Sequence, residues 1–223
     1  MRTGSFQERT SRTHPVTLAK TKAGKAPQWR LPEWSRSYLL GERNMIDMEE
    51  LEKMAAEAGF THIGPLDRST IELRKEVREM CRTGNCGAYG KKWSCPPACG
   101  SLEECGERLN RYSRGILVQT VGQLEDSLDY ETMMETEAEH KEHFLKMEKM
   151  LREIYPHLLA IGAGGCTKCR ECTYPDAPCR FPEQAHASME AYGMLVLQVC
   201  KANGLTYYYG PNTIAYTSMY LLE

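Results

Sequence analysis

Four cysteines, Cys166-Thr-Lys-Cys169-Arg-Glu-Cys172 and then Cys179, constrain this chain of 223 residues more than any other feature. Three thiols separated by two residues each cannot spread across a fold, so they must gather in one tight loop. That spacing lets thiolates wrap three corners of an iron–sulfur cubane, as in the bacterial ferredoxin run, where a fourth Cys stands beside Pro. Here the fourth lies six residues on, and Pro178 precedes it. The competing reading is structural zinc, which takes two ligands from each of two separated knuckles and closes a tetrahedron. A third Cys directly after a CxxC fits that geometry poorly, so the spacing favours iron–sulfur. Gly162, Gly164 and Gly165 lie just upstream, where bare backbone N–H groups can approach cluster sulfurs.

A second group is looser: Cys81-x4-Cys86-x8-Cys95-Pro-Pro-Ala-Cys99, with Cys105 six residues further. Cys81, Cys86, Cys95 and Cys99 form the expected ligand set. Cys99 is preferred to Cys105 because Cys105 falls inside an expected helix, where a thiol is more often a small core residue. Pro96 and Pro97 stiffen the loop and remove two backbone donors. Two such groups imply two [4Fe–4S] clusters, with zinc as the alternative. Cys200 sits beside an apolar helical stripe and reads as a buried, inert thiol.

Composition supports metal rather than disulfides. No apolar run approaches the roughly 20 residues of a membrane span, and the N-terminus lacks a secretory h-region. The expected location is the reducing cytoplasm, where structural disulfides are rare. The hydrophobic fraction of 41% is enough for a core without metal staples. A net charge of −2 and a pI near 6.3 argue against nucleic-acid binding. The charge is uneven: residues 1–44 carry nine Lys and Arg against three Glu, a balance of +6, which leaves −8 on the rest. The basic stretch lacks periodicity and reads as a disordered extension. Gly41-Glu42-Arg43-Asn44 can be encoded almost wholly by purines, as a translated ribosome-binding site would be, so the natural start is expected at Met45. Residues 45–223 are then a single cysteine-rich metal-binding domain.

Apolar periodicity predicts a helix over 46–58 stopped by Gly59, a strand over 60–66, and a helix over 70–80 delivering the chain to Cys81. Ser101-Leu-Glu-Glu104 has the form of a capping box and opens a helix to about Tyr112. A buried strand is expected over 115–121, a long helix over 125–155 with Phe144, Met147, Leu151 and Ile154 as its stripe, and a strand over 158–161. A helix over 184–202 and a hairpin of strands 205–209 and 213–222 complete the reading. The fold class is α+β, with a mixed, largely antiparallel sheet, covering helices and two cysteine-rich loops. His140 and His143 share a helix face at metal-binding spacing, but Glu135, Glu137, Glu139 and Glu142 around them predict a solvated charged face. His186 is placed to cap or ligate a cluster. Tyr207, Tyr208 and Tyr209 read as core packing in a strand. Neither a P-loop, a GxGxxG after a strand, an HExxH nor a GxSxG is present.

With both loops read, the chain resembles the DUF2284 family of predicted metal-binding proteins. The resemblance rests on Cys86-Gly-Ala-Tyr-Gly90, Trp93-Ser-Cys95-Pro-Pro97, Gly164-Gly-Cys166-x2-Cys169-x2-Cys172, Pro178-Cys179-Arg-Phe-Pro182 and Ser188-Met-Glu-Ala-Tyr-Gly193. It implies a small protein of anaerobic bacteria and archaea, in some cases encoded near corrinoid-dependent methyl-transfer systems. Cys81, Cys86, Cys95, Cys166, Cys169, Cys172 and Cys179 match its pattern, whereas Cys99 and Cys105 look like features of a subset.

The leading functional expectation is an electron carrier or reductive activator for a redox partner protein in anaerobic metabolism, with no nucleic-acid or membrane partner. The −8 body would dock a basic partner at a rate that falls with salt. The alternatives are a redox enzyme whose cluster has an open iron that binds substrate, and a zinc-stapled interaction module. A chain beginning at Met45 should keep the metal content and melting temperature of the full chain; loss of either would show that residues 1–44 pack or ligate.

Overall fold

The computed structural model describes residues 47–84 and 86–223. The expectations for the basic extension, the start at Met45 and the first residue of the opening helix therefore lie outside the described residues.

Asp47 caps the first helix, α1 (Met48–Ala58), by accepting from the backbone N–H groups of Glu49 and Glu50. Gly59 ends it at φ 112°, a left-handed conformation that glycine adopts without penalty. Strand β1 (His62–Asp67) follows, then a short 3-10 turn (Arg68–Thr70) and α2 (Lys75–Thr83). The expected helix over 70–80 thus starts later and runs three residues further, taking Cys81 into its last turn. Its first half is held extended, because Leu73 bridges Met194 and the Arg74 N–H donates to the Gly193 carbonyl at 2.8 Å. Helix α3 (Leu102–Leu109) begins on a complete capping box, with Ser101 and Glu104 each bonding the other's backbone. Strand β2 (Arg114–Gln123) and the 25-residue helix α4 (Tyr130–Ile154) come next. After them come β3 (Leu159–Ile161), a 3-10 turn (Pro182–Gln184), α5 (Val196–Ala202) and β4 (Thr213–Leu222).

The four strands form one sheet in the order β1-β2-β4-β3, antiparallel at every pairing. The class is α+β, as expected, although the sheet is not mixed. Side-chain alternation divides two cores. Ile116, Val118, Tyr220 and Leu222 face α1 and α4, meeting Leu51, Phe144, Met147 and Leu151. Leu117, Met219 and Leu221 face the other way, onto α3, α5 and the segment containing Met189, Tyr192 and Met194. The first cysteine loop closes against this second side, where Cys99 meets the Ala191 carbonyl and Cys105 is buried. Ile154, expected on the buried stripe of α4, is instead 48% exposed at the end of that helix.

Two further expectations are corrected. Residues 205–209 are not a strand, because both edges of β4 are already taken by β2 and β3 and no hairpin partner can pair there. Tyr207 and Tyr208 accordingly lie exposed rather than in the core, while Tyr209 donates to Gln119 Oε1 at 2.6 Å. The helix expected over 184–202 is real only at Val196–Ala202. Upstream, Gly193 turns at φ 87°, Met189 N–H reaches back to the Gly162 carbonyl, and Met194 pairs with Leu73. Those tertiary bonds hold the backbone away from helix.

The β2–β4 pairing is tight enough to require glycine at one position. A Cβ on Gly115 would stand 2.1 Å from the Tyr220 carbonyl oxygen, a backbone atom that cannot rotate away. On Gly106, in α3, the nearest contact would be the Leu73 side chain at 3.8 Å. Gly115→Ala should therefore lower the melting temperature by several degrees, a cost of about 1–3 kcal/mol. Gly106→Ala should raise it slightly, since Ala in a helix gains up to about 1 kcal/mol over Gly. Thermal unfolding of both variants checks the pair.

Candidate metal centres

The first cysteine group is assembled by three elements. Cys81 is carried on the last turn of α2, Cys86 lies exposed in the following loop, and Cys95 and Cys99 are buried in successive turns before α3. Segment 188–193 closes one wall: the Cys81 thiol is 3.9 Å from the Glu190 carbonyl, and the Cys99 thiol is 3.8 Å from that of Ala191. The thiols sense one another. Cys81 is pushed up by burial and then by Cys86, Glu190 and Cys95. Burial also raises Cys95, with Cys99 and Cys86 adding to it against Ser94 and Lys92.

Cys99 behaves differently. Hydrogen bonding with the Cys105 thiol, helped by Arg78 and Arg108, outweighs burial and lowers it to about 7. The same hydrogen bond, with burial, drives Cys105 strongly upward. Of the two, Cys99 is the one poised to be a thiolate, while Cys105 is a fully buried core thiol within α3. Arg78 donates to Cys99 Sγ at 3.2 Å and to the Gly100 carbonyl at 2.6 Å. Arg108 donates to the Cys99 carbonyl at 2.7 Å and to the Tyr192 hydroxyl at 2.9 Å. Among the described residues neither guanidinium has a carboxylate partner, so two cationic groups converge where thiolate charge would collect.

The second group is more compact. Cys166, Cys169, Cys172 and Cys179 all line one small cavity with Lys92, Trp93, Ser94 and Arg180. Around Cys172, burial opposes the thiolate, but backbone N–H groups of Tyr174, Trp93 and Thr173, together with Lys92, outweigh it and hold the pKa down. Backbone N–H donors of this kind are what a thiolate ligand or a cluster sulfur needs.

The two loops are docked to each other. Lys92 Nζ donates to the Cys166 carbonyl at 2.7 Å, the Trp93 indole donates to the Ala177 carbonyl at 3.0 Å, and Trp93 meets Tyr174 edge-on at 4.9 Å. The Cys166 N–H is 3.4 Å from Ser94 Oγ. Lys92, Trp93 and Ser94 thus belong to the first loop and wall the second. Apart from adjacency to Cys95, no signal in the sequence marks this bridge, nor the convergence of Arg78 and Arg108 on Cys99. Among the described residues, no three His, Cys, Asp or Glu side chains stand close enough to hold a single metal ion. The donor set nonetheless fits a thiolate-held metal group: soft ligands, N–H donors and balancing cations.

His186 does not join the thiols. Its Nε2 is 3.0 Å from the buried Glu148 carboxylate, which also holds Arg152. Cys200 is buried in α5, its thiol 3.8 Å from Gln119 Nε2, and burial raises it to about 12, as expected of an inert thiol. His140 and His143 are not on a solvated face. His140 is fully buried between Thr120 and Ser218, and His143 is half-buried against Phe60. Two cavities flank the centres. One of about 500 Å³ reaches Cys99, Arg108, Tyr192 and His186. The other, about 330 Å³, lies between α4 and residues 162–168 and touches Cys166.

A cysteine-rich α+β chain with two docked thiol groups has the donor set of a metal-binding protein. The chain belongs to the DUF2284 family, described as predicted metal-binding proteins, whose model matches residues 64–222. Neither a curated protein nor a solved structure matches it. Among the described residues no helix is long and apolar enough to cross a membrane.

His140 also sets a pH dependence. Burial, with the charges of His143 and Lys141, lowers its pKa to about 3. A folded state that resists protonation is fully stabilised above the unfolded value near 6.5 and loses stability as pH falls from there toward 3. His62, lowered by burial to about 4, acts in the same direction. Resistance to denaturant should therefore fall steadily from pH 6.5 to 4, and His140→Gln should show a shallower slope; equal slopes would remove His140 from the account.

Proposed function

We propose that the chain holds two [4Fe–4S] clusters and acts in the cytoplasm of anaerobes as an electron carrier or reductive activator for a partner enzyme. Cys81, Cys86, Cys95 and Cys99 would hold one cluster and Cys166, Cys169, Cys172 and Cys179 the other. When bound, such clusters supply reversible one-electron transfer over a wide range of potentials. The observation that carries the reading is the gathering of all four second-loop thiols around one cavity whose wall is the first cysteine loop. That docking through Lys92, Trp93 and Ser94 makes the two groups neighbours, which favours exchange of electrons between them. The unpaired guanidinium groups of Arg78 and Arg108 offset the negative charge that a thiolate-ligated cluster brings into a partly buried site. Exposed Cys86 and the exposed apolar side chains Met80 and Phe181 offer a contact surface for a partner.

A second reading has a specific observation in its favour. The cavity of about 500 Å³ that reaches Cys99 gives a small molecule access to the first group, as a redox enzyme with an open iron would require.

Anaerobic purification with iron, sulfide and zinc analysis and EPR of the reduced protein tests both. About eight irons and eight sulfides per chain are expected from two cubanes. Zinc in their place overturns the proposal in favour of a stapled interaction module. Cys99→Ser should lower the iron content or alter the EPR signal, whereas Cys105→Ser and Cys200→Ser should do neither. Sensitivity at Cys105 alone would reassign the fourth ligand, and insensitivity at both would favour the enzyme.

A further inference from the structure

The cavity of about 500 Å³ beside Cys99 is lined by donors that the protein leaves partly unused. Arg108 and Tyr192 both border it, joined by a hydrogen bond of 2.9 Å from the guanidinium to the phenol oxygen. Tyr192 is only 3% exposed, and its hydroxyl accepts from Arg108 while no group among the described residues accepts from it. A buried hydroxyl proton without an acceptor is destabilising, and a Phe would fill the same space without that defect. Arg108 gives one further N–H to the Cys99 carbonyl, at 2.7 Å, and a guanidinium carries more donors than these two bonds engage.

We infer that this cavity binds a small organic carboxylate, whose carboxylate group is held by the Arg108 guanidinium and the Tyr192 hydroxyl.

The two arginines beside Cys99 are placed differently. Arg78 donates to Cys99 Sγ at 3.2 Å and does not line the cavity, whereas Arg108 donates to no sulfur and does line it. Arg78 is thus the direct donor to the thiol, and Arg108 is the cation within reach of a ligand. A guanidinium meets a carboxylate through parallel N–H bonds, and a phenol beside it supplies a further donor. His186 also lines the cavity. Its Nε2 is engaged with Glu148 at 3.0 Å, and its other ring nitrogen has no partner among the described residues.

The other charges of the lining are already engaged or lie in water. Glu104 accepts the Ser101 N–H at 2.6 Å in the helix cap and feels the charges of Arg108 and Arg78. Arg152 donates to Glu148 and to the Pro156 carbonyl. Glu183 is exposed on the 3-10 turn, where solvent screens it. Leu158, Ala160 and Ala187 supply an apolar wall for the body of the ligand. Convergent donors beside an apolar wall select a molecule with an anionic head and an apolar body. The inference deepens the open-iron reading by naming its substrate class and rests on that reading for the use of the site, but binding itself needs only these side chains.

Calorimetric titration of the full, anaerobically purified chain with benzoate tests the site. Benzoate should bind saturably, and benzamide, its uncharged counterpart, roughly tenfold more weakly. Tyr192→Phe keeps the ring and should weaken benzoate roughly tenfold, the effect of losing one hydrogen bond to a charged group. Arg108→Gln should weaken it at least as much, and Tyr192→Phe carries the test alone should that variant fail to fold. Absence of saturable benzoate binding overturns the inference, as does equal binding of benzamide or an unchanged benzoate affinity in folded Tyr192→Phe. Cyanide, a small ligand for iron, separates the two readings. An EPR signal that cyanide leaves unmoved removes the open iron while benzoate binding still supports the carboxylate site, and a cyanide-sensitive signal without benzoate binding does the reverse.

Discussion

The fold depends on β4. It is the last element of the chain, yet it occupies an interior position, pairing with β2 over ten residues and with β3 over three. Strands β1 and β2 lie on one side of it and β3 on the other, so the sheet closes only when the C-terminal segment inserts. Tyr220 shows how fully the insertion is used. Its ring stacks on Phe144 at 4.9 Å, its hydroxyl donates to the Phe144 carbonyl at 2.7 Å, and the residue has no solvent exposure. A buried tyrosine whose hydroxyl is satisfied fixes the distance between sheet and helix as well as contributing apolar area. Burial raises its pKa far above the ordinary phenol, so the hydroxyl remains a donor at any physiological pH.

The same pairing places the cysteines. The first loop runs between α2 and α3, just ahead of β2, and the second follows directly from β3. The two loops lie close enough for Lys92, Trp93 and Ser94 to reach across. Segment 182–195 then serves both. Its Glu190 and Ala191 carbonyls contact the Cys81 and Cys99 thiols, while His186 borders the two large cavities.

Local signals in the sequence were read well where local physics decides. The capping box at Ser101 and Glu104, the left-handed stop at Gly59 and the apolar run of β2 all depend on neighbours within a few residues. The failures share the opposite cause. Residues 205–209 are aromatic-rich like a strand, but pairing is decided by which edges remain free, and that is settled by β2 and β3. The stripe of Tyr192, Leu195, Val196 and Val199 has helical spacing, but Leu73 and Gly162, far away in sequence, claim the backbone at its start. His140 and His143 stood among glutamates, and their partners Thr120 and Ser218 lie on strands that no periodicity could connect to them. The cysteine groups were legible because their spacing alone limits where the thiols can go, whereas the arginines beside Cys99 were not.

Charge explains why that arginine pair matters to the whole second side of the sheet. A guanidinium half-buried without a carboxylate is costly unless another negative or strongly polar group answers it. Arg78 and Arg108 instead turn to carbonyls, a thiol and the Tyr192 hydroxyl, and Arg108 lies 5.5 Å from the centre of the Tyr192 ring. Those contacts hold both side chains in place, and the Glu104 carboxylate feels both charges. Glu104, the acidic side chain nearest to hand, is engaged by the Ser101 backbone in the capping box at 2.6 Å. Hydrogen bonding with the Cys105 thiol, reinforced by the nearby Arg78 and Arg108, lowers Cys99, whereas burial and neighbouring thiols raise Cys81 and Cys95. Helix α3 therefore has two roles: its first turn is closed by the Glu104 cap, and the turns that follow carry the Cys105 thiol and the Arg108 guanidinium that favour a thiolate at Cys99.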